Sequence, residues 1–363
     1  MYKKMIQHQI FFDFLRFSIG SESEIPGSLI EADWKELYRI AQKQALVGIL
    51  FDGIQRLPSS DVGISRDLLL QWIAQCQMLE KANMRLNDAA IQVSEWFRKK
   101  GFRACILKGQ GNALLYPNGL HRTPGDIDIW VEGGDKRIIS FVRSISPHEK
   151  ACYHHIEFPS YKGAEVEVHY RPSFLLCFWY NHRLQKYYER VKEEQFSHRV
   201  MLGEQGEVAI PTAEFNLIFQ LTHINAHLMN EGIGLRQLLD YYFVLLHTDI
   251  KNVVELQRNL KLIGLWKFAG AIMYIMQEVF GMPASRLIVP PNEKYGKFVL
   301  NEVLEAGNFG KHDERNCFGK SRLGHNLQRV YRDIRLMKYF PAEALSEPIF
   351  RVWHFFWRMK NKK

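Results

Sequence analysis

The stretch Gly125-Asp126-Ile127-Asp128-Ile129 holds the pair of side chains best placed to do chemistry. Acidic and apolar residues alternate there, the period of a strand whose successive side chains point to opposite faces. Ile127, Ile129 and Val131 then face a core, while Asp126 and Asp128 share the other face. Two carboxylates roughly 7 Å apart along a strand repel one another, and a cation between them relieves the repulsion. Hard oxygen donors suit Mg²⁺, commonly held by one or two carboxylates plus substrate phosphates; Mn²⁺ takes the same ligands. Lys108-Gly109-Gln110-Gly111 ends the preceding apolar run, and Arg122 lies in the connecting loop. Carboxylates for a metal, with a glycine turn and cations for phosphate, point to phosphoryl or nucleotidyl transfer.

A lone D-x-D on a strand is also a common solvated edge. A second alternation downstream, Glu165-Val166-Glu167-Val168-His169-Tyr170, changes the balance. Val166 and Val168 face the core, and Glu165, Glu167 and His169 the other side. Two neighbouring strands with acids on the same face gather three or four carboxylates around one point.

At these residues the chain resembles the DNA polymerase β-type nucleotidyltransferase superfamily, with its Gly-rich turn, D-x-D pair and third acid on a later strand. More narrowly, it resembles the bacterial branch of uncharacterised nucleotidyltransferases. The shared motifs are Leu107-Lys108-Gly109, Asp126-Ile127-Asp128-Ile129, Glu167-Val168-His169-Tyr170 and Leu235-Arg236-Gln237-Leu238-Leu239-Asp240, in that order. The resemblance covers about residues 100–245. It implies that Asp126 and Asp128 ligate two Mg²⁺ ions, and that Glu167 completes the site beside the acceptor hydroxyl. Lys108, Gly109, Gln110 and Arg122 are then the candidates for the nucleotide's phosphates, and Arg236 and Asp240 lie near the cleft. Two departures stand out. Gln110 occupies the place where the superfamily has serine, and Glu167 the place where this branch usually has Asp.

Other residues carry plainer alternatives. His169 orients a carboxylate, contacts the base or is structural. His223 and His227 have an i,i+4 spacing able to bind zinc, but the glutamate of H-E-x-x-H is missing, which favours helix packing or a polar cleft lining. Arg236 and Asp240, also i,i+4, read as an ion pair on one helix or as cleft residues. The C-terminal run from Arg351 to Lys363 interleaves aromatics with cations. It suits an anionic partner, such as single-stranded nucleic acid or a membrane surface, or docking on its own protein.

These residues need elements to hold them. At 363 residues the chain exceeds one ordinary core. Residues 1–100 read as helical: one helix from Asp33 to Pro58, then a long one over 66–99 with Leu70, Ile73, Met84, Ala90, Val93 and Phe97 on its buried stripe. Residues 101–172 change period to a mixed α/β pattern, with strands at 104–107, 127–131, 154–161 and 164–170. Residues 173–363 return to helix. The expected fold is therefore α+β: a small polymerase β-like core with a mixed sheet, flanked by N-terminal and C-terminal helical regions.

Composition sets the outer bounds. With 47% hydrophobic and 24% charged residues the chain is globular, not disordered. A net charge of +9 favours polyanionic partners. Five cysteines without C-x-x-C spacing read as reduced thiols of a cytoplasmic protein. No apolar run is long enough for a transmembrane segment. Three readings follow. One is a Mg²⁺-dependent enzyme moving a nucleoside monophosphate from NTP to the hydroxyl of an unknown acceptor: a protein, small molecule, sugar or RNA. The second is a degenerate fold that binds nucleotide or nucleic acid without turnover. The third is an antitoxin-like partner protein.

Overall fold

The computed structural model describes residues 2–58, 63–204, 206–315 and 321–361. Four helices, α1 (Tyr2–Ile19), α2 (Trp34–Gln44), α3 (Val47–Arg56) and α4 (Arg66–Lys99), precede the first strand. The expected single helix from Asp33 to Pro58 is two. Ala45 takes a left-handed φ of 57° and turns the chain between α2 and α3. Such a turn usually carries Gly or Asn, so the apolar period ran through it unbroken. The long helix spans 66–99 as expected, but its stripe differs: Leu68, Trp72, Cys76, Leu79, Asn83, Ala90, Val93 and Phe97 are buried. Leu70 and Met84 are exposed because they lie off that 3–4-residue seam.

The central unit runs β1 (Ala104–Leu107), α5 (Gly109–Ala113), β2 (Ile127–Val131), α6 (Gly134–Ile145), β3 (His155–Tyr161) and β4 (Ala164–His169). The sheet order is β1-β2-β4-β3. The β2–β4 pair is parallel and its neighbours are antiparallel. Lys162 and Gly163, with φ of 51° and 80°, make the β3–β4 turn. Then come α7 (Phe178–Ser197) and a hairpin of β5 (Arg199–Leu202) and β6 (Gly206–Ala209). The helices α8 (Ala213–Asn230), α9 (Leu235–His247), α10 (Val253–Leu262), α11 (Trp266–Phe280), α12 (Glu293–Ala306), α13 (Arg322–Met337) and α14 (Pro341–Lys360) complete the chain. The architecture is α+β, a small mixed sheet within helical flanks.

Alternation along the strands divides the interior in two. Ile127, Ile129, Val131, Val166, Val168 and Ile156 pack with α4 and α6 on one face. Cys105, Leu107 and Trp130 join the larger helical core on the other. That core runs through both flanks: the Gln44 side-chain oxygen accepts the Leu235 amide at 2.8 Å, and its amide donates to the Val303 carbonyl at 3.3 Å. Cys76, Cys105, Cys152 and Cys177 are free thiols; Cys317 lies outside the described residues. Among the described residues no helix is long and apolar enough to cross a membrane.

Candidate active site

Strand register builds the site. Asp128 lies beside Glu167 across the parallel β2–β4 pair, and Trp130 beside His169. Laterally paired residues share a face, so the acids stand on the side of the sheet away from α4 and α6. Asp126 precedes β2. Ligand oxygens of Asp126, Asp128 and Glu167 all lie within 4.8 Å of one another. Glu165 is exposed and not part of the pocket lining. Below the acids, Trp130 packs on Phe196 and Phe215 at 4.6 and 5.9 Å, which anchors the strand where it carries charge.

Two cations sit among these carboxylates. Lys108 Nζ is 2.9 Å from Asp128 Oδ2, and His169 Nε2 donates to Asp128 Oδ1 at 2.8 Å. Burial works against the Asp128 charge, yet Lys108 and His169 outweigh it and hold the carboxyl well below the usual range. Burial also opposes charge on His169, but Asp128 and Glu167 push it up to about 9. Asp126 has the opposite fate: repulsion from Asp128, then burial, raises it to about 6. The three carboxylates are thus unequal. One is firmly ionised and paired, and one is strained by its neighbour.

Lys108 has φ 49° and ψ −140°, a conformation rare for a residue with a side chain. Gly109 follows at φ 38°. The turn aims the lysine into the cavity, where His223 Nε2 lies 3.3 Å from its Nζ. Burial keeps His223 far below its ordinary pKa, so it accepts from the ammonium. Gln110 does not reach the cavity. It is buried, and its amide donates to Asn87 of α4.

The 114–126 loop is fastened by distant parts of the chain. Arg122 forks onto Asp240 at 2.7 and 2.8 Å, and Tyr116 donates to the same carboxylate at 2.6 Å. Asn83 donates to the Leu120 and Arg122 carbonyls at 2.7 and 2.8 Å. His121 sits between Asp52 and Glu80. Asp240 therefore pairs with Arg122 and not with Arg236, contrary to the i,i+4 ion pair. Arg236 donates from Nη1 to the Thr123 carbonyl at 3.1 Å and faces Phe309 at 5.5 Å. Its buried Nε has no partner, and burial with the nearby Arg122 lowers its pKa.

These groups line a cavity of about 620 Å³. It collects Lys108, Gly109, Asp126, Asp128, Glu167 and Arg236, with Arg122 and Asp240 in its wall. Sequence reasoning missed Cys152, Tyr153, His154, His155 and Asn112, which also line it. The Cys-x-His-His spacing of 152–155 was the available signal. His227 bonds Glu231; no metal-ligand group among the described residues includes His223 or His227. The inner face of α14 docks: Phe350 stacks on Phe174 at 5.2 Å and Trp353 meets Tyr153 at 5.4 Å. Arg351, His354 and Arg358 border the cavity, while Val352, Phe355 and Phe356 are exposed.

A short mixed sheet thus brings carboxylates on and beside two parallel strands together next to a Lys-Gly turn. Residues 31–281 match the family described as "Uncharacterised nucleotidyltransferase". The chain belongs to that family, whose general activity is nucleotidyl transfer. No curated protein matches the chain.

Proposed function

We propose that this cavity moves a nucleoside monophosphate from an NTP to an acceptor hydroxyl, with Mg²⁺ or Mn²⁺ held by Asp126, Asp128 and Glu167. The observation that carries this reading is the convergence of three carboxylates within 4.8 Å. The donors fit the ion: all are hard oxygens, and the repulsion that raises Asp126 to about 6 is what a cation relieves. When bound, the metal supplies Lewis-acid stabilisation of the attacking and leaving oxygens in an in-line displacement.

The chain's own groups have separable tasks. Glu167 receives the acceptor hydroxyl's proton; burial opposes its charge, but the His169 hydrogen bond together with the His155 and His169 charges holds the carboxyl below the usual range. Lys108 and Arg236 bind phosphate oxygens, Arg236 through the fork whose Nε has no other partner. Arg122 has its fork filled by Asp240 and acts by holding the wall. Arg351 and Arg358 add positive charge at the border, which suits the triphosphate or an anionic acceptor. The acceptor is a protein, small molecule, sugar or RNA.

One observation favours a second reading, nucleotide binding without turnover: Gln110, at the turn position, is committed to Asn87 and offers nothing to a phosphate. The deciding experiment incubates the protein with each α-labelled NTP, Mg²⁺ and a cell lysate. Label should move to an acceptor with release of pyrophosphate. Glu167→Gln should abolish transfer and the exposed Glu165→Gln should spare it. Metal-dependent NTP binding with no pyrophosphate release would establish the second reading instead.

A further inference from the structure

We propose that Cys152, His154 and His155 form a separate metal site, for a late first-row transition-metal dication of the Zn²⁺ type, on the turn leading into β3. One donor atom from each lies within 4.8 Å of the other two. Cys152 Sγ is 3.7 Å from His154 Nδ1, and His155 Nδ1 is 3.0 Å from His154 Nε2. Three donors from four consecutive residues converge because the Cys152 amide donates to the His155 carbonyl at 2.9 Å. The turn is held from outside as well. Tyr170 donates its hydroxyl to the Cys152 carbonyl, and Ala151 bridges to Ile156.

The sulfur is prepared for a cation. Backbone N–H groups of His154 and His155 both donate to it. Amide donors from the second and third residues after a cysteine favour the thiolate and fix its direction, the role that outer partners play at metal sites. His154 and His155 present the imidazole nitrogens that such a metal takes. Burial pushes the Cys152 thiol up to about 11. When the sulfur–metal bond forms, the thiol proton therefore leaves to water, as happens at any coordinating thiol.

One sulfur and two nitrogens select the Zn²⁺ class over Mg²⁺, which takes oxygen. The site is thus chemically distinct from the three carboxylates and does not rest on the nucleotidyl-transfer reading. It is mechanically linked to them: His155 Nδ1 lies 3.2 Å from Glu167 Oε2. A metal here fixes the His155 ring that lies against the third acid.

Full-length protein stripped with chelator and titrated with Co²⁺ tests this. A saturable thiolate-to-cobalt charge-transfer band should grow in the near ultraviolet to one equivalent, with the visible bands of a tetrahedral centre, and Zn²⁺ should displace it. Cys152→Ser should remove the charge-transfer band, and Cys177→Ser should retain it. His155→Ala should weaken Co²⁺ binding by more than the roughly 10–100-fold that loss of an outer partner costs. Asp126→Asn should leave the band intact, which separates this site from the carboxylates. Circular dichroism checks that Cys152→Ser is folded; if it is not, the His155→Ala affinity decides. No saturable band in the wild type, its survival in folded Cys152→Ser, unchanged affinity in His155→Ala, or its loss in Asp126→Asn overturns the proposal.

Discussion

Asp126→Asn and Asp128→Asn are the same chemical change two residues apart, and the structure gives them opposite effects on stability. Asp126 is raised from 3.8 to about 6, first by repulsion from Asp128 and then by burial. At about 1.36 kcal/mol per unit, its ionisation costs the native state at most about 3 kcal/mol. Partial solvent access reduces this to roughly 1–2 kcal/mol. The native carboxyl binds its proton more tightly than the unfolded one. Its contribution to stability is therefore complete below pH 3.8 and lost as pH rises through about 6. The amide removes that penalty, so Asp126→Asn should be more stable than wild type at about pH 8 and by roughly half as much at about pH 5. Asp128 is 3% exposed and holds both Lys108 and His169. Its amide removes the Lys108 ion pair and one of the two carboxylates at His169, which keeps Glu167 at 3.4 Å; the loss is about 3–5 kcal/mol, which deprotonation of His169 partly recovers. Urea unfolding in chelator at both pH values measures each effect as a midpoint shift at constant slope. Stabilisation by Asp128→Asn, or an Asp126→Asn increment that is negative or independent of pH, would refute the electrostatic account.

His169, raised from 6.5 to about 9, adds stability that is complete below pH 6.5 and lost through about 9; its NMR titration should show that midpoint, and added Mg²⁺ should lower it. Arg122→Ala should destabilise by about 3–5 kcal/mol because Asp240 is left buried and unpaired, and lysine should rescue poorly because it lacks the fork. Arg236→Ala should weaken NTP binding with a far smaller change in melting temperature than Arg122→Ala; equal losses in both would make Arg236 purely structural. Glu343 accepts the Leu176 and Cys177 amides at 2.8 and 3.2 Å, so Glu343→Ala should cost about 1–3 kcal/mol and speed amide exchange in α14. Lys108→Met should tighten Mg²⁺ binding at least about tenfold, since a unit charge about 4 Å away is worth about 4 kcal/mol at a partly buried site. The same variant should weaken NTP binding, and a calorimetric titration with each ligand reads both.

What was legible in the sequence was what depends on local period. Two-residue alternation sets the facing of Asp128, Glu167 and His169, because a strand allows only two faces. Alternation marked the two acidic strands, a short apolar run marked 104–107 and the Lys162-Gly163 turn marked the hairpin; only exact ends moved. Where period is silent, the reading ran out. Gln110 stands in a short helix, where one residue of rotation decides between the cavity and Asn87. The Arg122–Asp240 pair joins residues 118 apart in sequence, whereas the local rule offered Arg236 four residues away. Ala45 hid a break because alanine favours helix and seldom takes the left-handed turn that it makes here. Docking of α14 beside the site depends on Glu343 meeting the Leu176 and Cys177 amides across the fold, which no local pattern announces.

The charge balance joins these observations. Asp126, Asp128 and Glu167 bring three negative charges to one point, and Lys108 with His169 returns two. A divalent cation returns the same two charges from a single centre. On the proposed reading the two arrangements compete for Asp128, since an oxygen occupied by the ammonium is not free to ligate. Lys108 is suited to such an exchange. Its ammonium is a compact charge on a flexible stem, and His223 Nε2 already lies 3.3 Å from it. Displaced from the carboxylate, it remains a cation in the cavity, available on that reading to the nucleotide's phosphate chain. Metal and nucleotide binding are then coupled through one lysine, and the strained backbone at φ 49° is what keeps that lysine within reach of both.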